Sequence, residues 1–355
     1  MKTELVENNG SLLENHTHIT SSFDLSKGSN EGVITKLALD NVLNHSVKGF
    51  RKNYLIEKNL NIINGMGVTL GDSIIGINAL DCIKKINKNI QITLIRPATC
   101  HSYVEEIYSI ASNLIDRLEY MPYDIKHLRR DAVNIDIGNQ LYWHDFNNLE
   151  MHDFFLKNLG VDFELIPDNW KCNHWLQDSF PKKTNNKNQY VLFCPKASTS
   201  LRSIPEKFHY QIIDNLYTSF NLPVHGFSPI KHPMYKDISK TCSNTADFIK
   251  AIAHAQHVYT CDSSALHVAS GYDIPTTCIF TAINPVLRSR YYKNCKSIYI
   301  GDEITQNLHE SEDPAIIEHV VSRFEAFYEK IQINSFDWNG SAFLVRFASC
   351  PGGTA

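Results

Sequence analysis

Short apolar runs alternate with amphipathic stretches through most of this sequence. Leu60-Asn61-Ile62-Ile63-Asn64 is a buried-strand pattern, and a glycine-rich turn, Gly65-Met66-Gly67-Val68-Thr69-Leu70-Gly71-Asp72, follows it. Ile74, Ile75, Ala79, Leu80 and Ile83 then recur at helical spacing, and Ile90–Ile95 reads as the next strand. Strand, tight turn, helix and strand in that order make a right-handed βαβ unit. The alternation continues with a helix over Tyr103–Leu114, strands over Leu118–Met121 and Ala132–Ile137, and a helix over Met151–Leu159 with Gly160 as its C-terminal cap. After a polar break at Pro181–Asn188 the pattern restarts. Strands are predicted at Tyr190–Cys194, Leu222–Phe227, His257–Cys261 and Pro275–Phe280. Helices are predicted at Pro205–Phe220, Thr245–Ala255, from Asp262 onward, and at Pro314–Ile331.

Two such halves predict two doubly wound parallel sheets facing each other. The division expected is a polar extension over 1–55, an N-terminal Rossmann-like domain over 56–182, a C-terminal one over 183–312, a closing helix over 313–333 and an unassigned tail over 334–355. Within the extension, Val33, Leu37, Leu39 and Leu43 suggest one amphipathic helix on otherwise weak structure. The tail holds one apolar piece, Ala342–Phe347.

Composition narrows the classes. The chain has 355 residues, 43% of them hydrophobic and 20% charged, enough to bury a sizeable core. Its formal net charge of -4 argues against a general nucleic-acid or anionic-membrane binder. No apolar run reaches the roughly 18 residues needed to span a bilayer, and the first residues carry no secretory h-region, so a cytoplasmic protein is expected. The nine cysteines are scattered without a C-x-x-C pair, which reads as reduced thiols rather than a metal site.

In open α/β sheets ligands bind beyond the carboxyl ends of the strands. Three segments stand there. The first ends in Gly71-Asp72, where Asp72 is either a helix cap or a carboxylate able to take a proton from a hydroxyl. The second is Asp262-Ser263-Ser264-Ala265-Leu266-His267, whose free N–H groups at a helix start suit an anion; there His267 reads first as a packing residue. The third, Lys196–Pro205, holds Lys196, Ser198 and Arg202 and suits a diphosphate, or else is a solvated loop.

Together these segments resemble glycosyltransferase family 9, the heptosyltransferase-like family. The resemblance runs from about Leu60 to Pro285. It rests on Leu70-Gly71-Asp72 after a strand, on Asp131–Asp136, on Met151–Gly160, and on Asp262–His267 followed by Ile274-Pro275. It implies the GT-B fold and inverting transfer of a sugar, typically heptose from ADP-heptose, onto a glycan such as lipopolysaccharide core, with no cofactor and no metal required. It places Asp72 as general base. Ser198, Arg202, Ser263, Ser264 and Ala265 fall against the donor diphosphate, with Gly71, Lys196, Asp262 and His267 lining the site. The partners implied are a nucleotide sugar and a glycan or glycolipid acceptor, the latter compatible with a peripheral place at the inner membrane; no nucleic acid is expected. Four positions depart from the pattern: Ser264 stands where the motif has Gly, Arg202 where it has Lys, Ile204-Pro205 where it has Trp-Pro, and Asn64-Gly65-Met66 lacks the usual basic residue. The substituted donor motif keeps open an alternative, a catalytically idle GT-B protein that binds a nucleotide sugar or a protein partner.

Overall fold

The computed structural model of the chain describes residues 5, 7–28, 32–182 and 189–333. The N-terminal segment gives strands β1 (Leu12–Glu14) and β2 (His18–Thr20), helix α1 (Ser22–Lys27), and strands β3 (Ile34–Lys36) and β4 (Val42–Leu43). The N-terminal lobe continues with β5 (Asn59–Ile63), α2 (Leu70–Ile86), β6 (Gln91–Arg96), α3 (Ser102–Ile110), β7 (Arg117–Tyr120), β8 (Tyr123–Asp124), β9 (Val133–Asp136), α4 (Met151–Asn158) and α5 (Trp175–Ser179). The C-terminal lobe holds β10 (Val191–Cys194), α6 (His209–Phe220), β11 (Val224–Gly226), β12 (Tyr235–Asp237), α7 (Thr245–Ala253), β13 (His257–Cys261), α8 (Ser264–Gly271), β14 (Thr276–Phe280), α9 (Val286–Ser289), β15 (Cys295–Tyr299) and α10 (Pro314–Ile333).

Each lobe is built on a parallel sheet. The C-terminal sheet runs β12-β11-β10-β13-β14-β15, so its six strands take the 3-2-1-4-5-6 order of dinucleotide-binding folds. The N-terminal sheet runs β4-β9-β5-β6-β7, the same order as far as its fourth strand. Beside that strand lies β4, supplied by the N-terminal segment. In each sheet the chain reverses direction of travel beside the first strand, between β5 and β9 and between β10 and β13. Loops diverge there and leave room for a ligand.

The expectation for residues 1–55 is corrected by the structure. The amphipathic helix over 32–45 does not form. Its apolar residues instead line the two sides of short strands, with Leu37, Leu39 and Val42 packed on a cluster of Leu13, Ile19, Ile63, Ile95 and Met121. A spacing of two between Leu37 and Leu39 suits an extended chain and cannot sustain one helical face. The segment forms a second, antiparallel sheet, β3-β1-β2-β8. It is tied to the end of β9 through Asp136, which accepts from the Ser11 amide at 2.8 Å and its hydroxyl at 2.7 Å. Gly138, at φ +45°, lets the Asn9 carbonyl come so close that any side chain there would collide. The strands β12 and β15 and the short helix α9 are further elements that periodicity did not reveal. Residues 183–188 of the expected linker and all of the tail, with Ala342–Phe347 and Cys350, lie outside the described residues. The eight described cysteines are free thiols, and among the described residues no helix is long and apolar enough to cross a membrane.

The lobes share one core. Helix α2 is buried almost all round, because one side covers the N-terminal sheet and the other meets α4 and α8. Between them sits Asn173, fully buried in a left-handed conformation. Its amide donates to Asn78 Oδ1 at 3.1 Å, and its Nδ2 donates to the His267 carbonyl at 3.2 Å and to Tyr292 Oη at 2.9 Å. A carbonyl only accepts, so this fixes the side-chain amide. Oδ1 is left to receive Nε2–H of His152 at 3.1 Å. Nearby, Trp175 donates to the Ile74 carbonyl, and Tyr272 donates to the Leu176 and Phe180 carbonyls. Replacing Asn173 by Ala would strand several of these buried groups. A loss of about 3 kcal/mol in unfolding free energy is expected; a denaturant midpoint equal to wild type would show that the seam does not hold the lobes.

Candidate functional site

The carboxyl ends of both sheets open onto one cavity of about 360 Å³. From the N-terminal lobe come the loop after β5, the first turn of α2, the loop after β9, and Ser22, Phe23 and Ser26 of α1. From the C-terminal lobe come Arg202, Asp262, Arg288, His309 and Glu310.

Asp72 is placed by its turn. Thr69 caps α2, accepting from the Asp72 amide at 3.4 Å while its hydroxyl donates to Asp72 Oδ2 at 3.0 Å. The cap is therefore Thr69, and Asp72 is the third helical residue with its carboxylate toward the crevice. Gly67 makes this possible: its φ is +109°, and a Cβ there would lie 2.7 Å from Asp72 Cβ. Behind the loop, fully buried Arg96 donates to the carbonyls of Gly65 and Gly67 at 2.8 and 3.2 Å and stacks on Tyr108. Asp72 lines the crevice. Burial pushes its carboxyl above the ordinary carboxylate range, against the opposing pull of Arg288, the Thr69 hydroxyl and Arg202.

Opposite stands a charged cluster. Arg202 faces Asp262 at 3.4 Å and Glu310 at 3.8 Å, and it donates to the Ser198 hydroxyl. Burial works against both charges of the closer pair, yet each holds the other ionised: Asp262 lies below its usual range and Arg202 above. Arg288, on α9, is 6% exposed and lies over the Phe146 ring. Its guanidinium donates to the neighbouring Leu287 carbonyl at 2.9 Å, and among the described residues it has no other hydrogen bond and no carboxylate within 4.0 Å. Burial lowers its affinity for the proton, with Asp262 and Asp72 opposing. His309 is 7% exposed, and neither ring nitrogen has a hydrogen-bond partner. Burial, then Arg288 and Arg202, bring it down to about 4, so the ring is neutral at pH 7. Gln140 Nε2 is a third buried polar atom in the wall without a partner.

Of the residues singled out in the sequence, Asp72, Arg202 and Asp262 are brought together in the wall, with Ser198 bonded behind Arg202. Lys196 is exposed and pairs loosely with Glu206 at 3.9 Å. Ser263 caps α8 without a side-chain bond of its own to the helix, and it, Ser264 and Ala265 lie beside the cavity rather than in its wall. There the two lobes touch. A Cβ on Gly71 would lie 3.3 Å from the His267 ring and 3.8 Å from Ser264 Cα. The His267 ring shares a hydrogen bond with the Tyr292 hydroxyl at 2.8 Å through Nδ1 and is held neutral, down to about 3, by burial. It is a packing residue of the seam. Arg288, His309 and Gln140 were missed because none belongs to a strand-to-helix corner that pattern alone can mark.

No family model matches the sequence, and no curated protein matches it. Among solved structures, the chain is similar to E. coli heptosyltransferase WaaC with ADP at 12% identity and a TM-score of 0.46, over 68% of this chain and 93% of that one. It is similar to E. coli ADP-heptose lps heptosyltransferase II at 12% identity and 0.42, over 78% and 99%. A glycosyl transferase family 9 protein from Veillonella parvula aligns at 12% identity and 0.46, over 80% and 100%. The architecture is of the GT-B type. Its two lobes each carry a parallel sheet with the order given above, and their carboxyl ends meet at one crevice.

The raised carboxyl of Asp72 has a thermodynamic consequence. Its folded value lies above its unfolded one, so ionising it costs stability. That cost is absent below about pH 4 and complete once the pH has passed the folded value. Asp72→Asn is therefore expected to keep or raise the melting temperature at pH 7, with the difference fading toward pH 4. A melting temperature several degrees below wild type at pH 7 would contradict this account of the carboxylate.

Proposed function

We propose that the crevice transfers a sugar, with inversion, from a nucleoside diphosphate donor to a hydroxyl of a glycan or glycolipid acceptor. The observation that carries this reading is Asp72. A carboxylate with raised proton affinity faces two arginines across a cavity formed by the carboxyl ends of two Rossmann-like sheets. Sugar transfer needs both halves of that arrangement. The acceptor oxygen attacks the anomeric carbon and loses its proton to Asp72 as the new bond forms. The bond from that carbon to the phosphate oxygen breaks, and its electron pair leaves with the nucleoside diphosphate. Cations on the opposite wall stabilise that charge, with the N–H groups that open α8 beside the cavity. Arg202, Ser198 and the start of α8 are the donor-side groups in this scheme, and the sequence resemblance to glycosyltransferase family 9 makes ADP-heptose the first donor to try.

Asp72→Asn is expected to lower the transfer rate about a thousandfold, within the range for a general base, while the donor dissociation constant stays within a factor of about three. Transfer is measured by release of nucleoside diphosphate in the presence of acceptor; undiminished turnover in the variant would sink the assignment. Arg202→Ala is expected to raise the donor KM more than it lowers kcat, and an unchanged KM would remove Arg202 from the donor side. Donor binding without transfer by the wild-type protein to any glycan would point to the idle protein instead.

A further inference from the structure

The donor side holds two arginines in different states. Arg202 already has its charge matched, by Asp262 at 3.4 Å and Glu310 at 3.8 Å, and its fork is occupied by Ser198, Thr199 and Asp262. Arg288 is buried to 94%, yet it spends one N–H on an adjacent carbonyl and faces no carboxylate within 4.0 Å among the described residues. A guanidinium carries five N–H donors, and the Arg288 side chain lines the cavity with most of them unspent on protein acceptors. The same wall holds His309, buried to 93%, with neither ring nitrogen hydrogen-bonded among the described residues and Nε2 3.9 Å from the Glu310 carboxylate. A guanidinium with donors to spare and an imidazole without hydrogen bonds, both lining one cavity, mark the place of a ligand rich in acceptor oxygens.

We propose that Arg288, with His309 beside it, is the principal seat of the donor's diphosphate and a catalytic residue for its departure. This rests on the sugar-transfer reading above. The Phe146 ring lies 5.4 Å from the guanidinium carbon, a cation–π contact that helps place the fork. As the anomeric carbon–oxygen bond breaks, the pair left on the phosphate oxygen meets the Arg288 donors. The proton of the acceptor hydroxyl goes to Asp72, and the new carbon–oxygen bond completes the balance. The neutral His309 ring offers one donor and one acceptor, which fits a phosphate oxygen on one edge and a ribose hydroxyl on the other. On this assignment Arg202 organises the loop and Asp262, while Arg288 is the free cation that replaces solvent around the leaving group.

The test is calorimetric titration of wild type, Arg288→Gln and Arg288→Lys with ADP, UDP, GDP, their monophosphates and inorganic pyrophosphate. For the nucleoside diphosphate that wild type binds, Arg288→Gln is expected to weaken affinity at least tenfold and to shrink the advantage of diphosphate over monophosphate. Arg288→Lys, which keeps the charge but not the fork, should fall between. Diphosphate affinity equal to wild type in folded Arg288→Gln overturns the proposal and leaves the donor reading standing. Binding of pyrophosphate through Arg288, with no nucleotide bound, keeps the anion site and overturns the sugar-transfer reading. Binding of neither by wild type overturns both. Should Arg288→Gln fail to fold, the wild-type protein decides: the Arg288 Nε–H resonance is expected to move on titration with pyrophosphate, and an unmoved resonance overturns the assignment.

Discussion

A buried amide, Asn173, ties together the helices through which the two lobes meet. Asn173 satisfies all of its side-chain hydrogen-bonding groups, with partners on α4, on α8 and at Tyr292, while its backbone N–H goes to α2. Such a network is worth most when complete, because every partner is a buried group that would otherwise be stranded. The seam sits just behind the crevice. Asn78 and Asp72 lie on one helix, and His267 follows Asp262 by little more than one turn. Fixing α2 against α8 therefore fixes Asp72 against Asp262 and Arg202. GT-B lobes joined by a mobile polar interface would leave that distance free; here a shared apolar core and the Asn173 seam set it.

Within the crevice, burial and charge pairing act in opposite directions on different groups. Asp262 and Arg202 face each other at 3.4 Å and stay ionised together. Asp72 and Arg288 have no such direct partner, and burial moves each toward its neutral form. The difference separates structure from chemistry. A matched pair shapes a loop, whereas an unmatched acid and an unmatched cation retain capacity to exchange a proton or accept an anion.

Much of the scaffold could be read from the sequence. The strands β5, β6, β10, β13 and β14 follow from apolar runs bounded by turns, and α2 and α10 from their periodicity. The corners at Asp72, Arg202 and Asp262 stood out because each follows a strand and opens a helix. The N-terminal segment was misread because its strands are two or three residues long and borrow their burial from Ile63, Ile95 and Met121, which lie far along the chain. Arg288 and His309 carried no local signal at all. One sits on a four-residue helix and the other in an irregular connection, and what sets them apart is an absence of partners that only the folded chain reveals.

The positions of Arg288 and Arg202 also bear on the order of events. Among charged groups, Arg288 exerts the largest downward pull on the Asp72 proton affinity, ahead of Arg202. A diphosphate seated on Arg288 would cancel that pull and add negative charge to the same cavity. Both effects raise the proton affinity of Asp72. The carboxylate would then be a weak base in the empty crevice and a stronger one once donor is bound, when an acceptor hydroxyl has somewhere to transfer its oxygen. On that proposal, base strength would be coupled to donor occupancy through two side chains on opposite lobes.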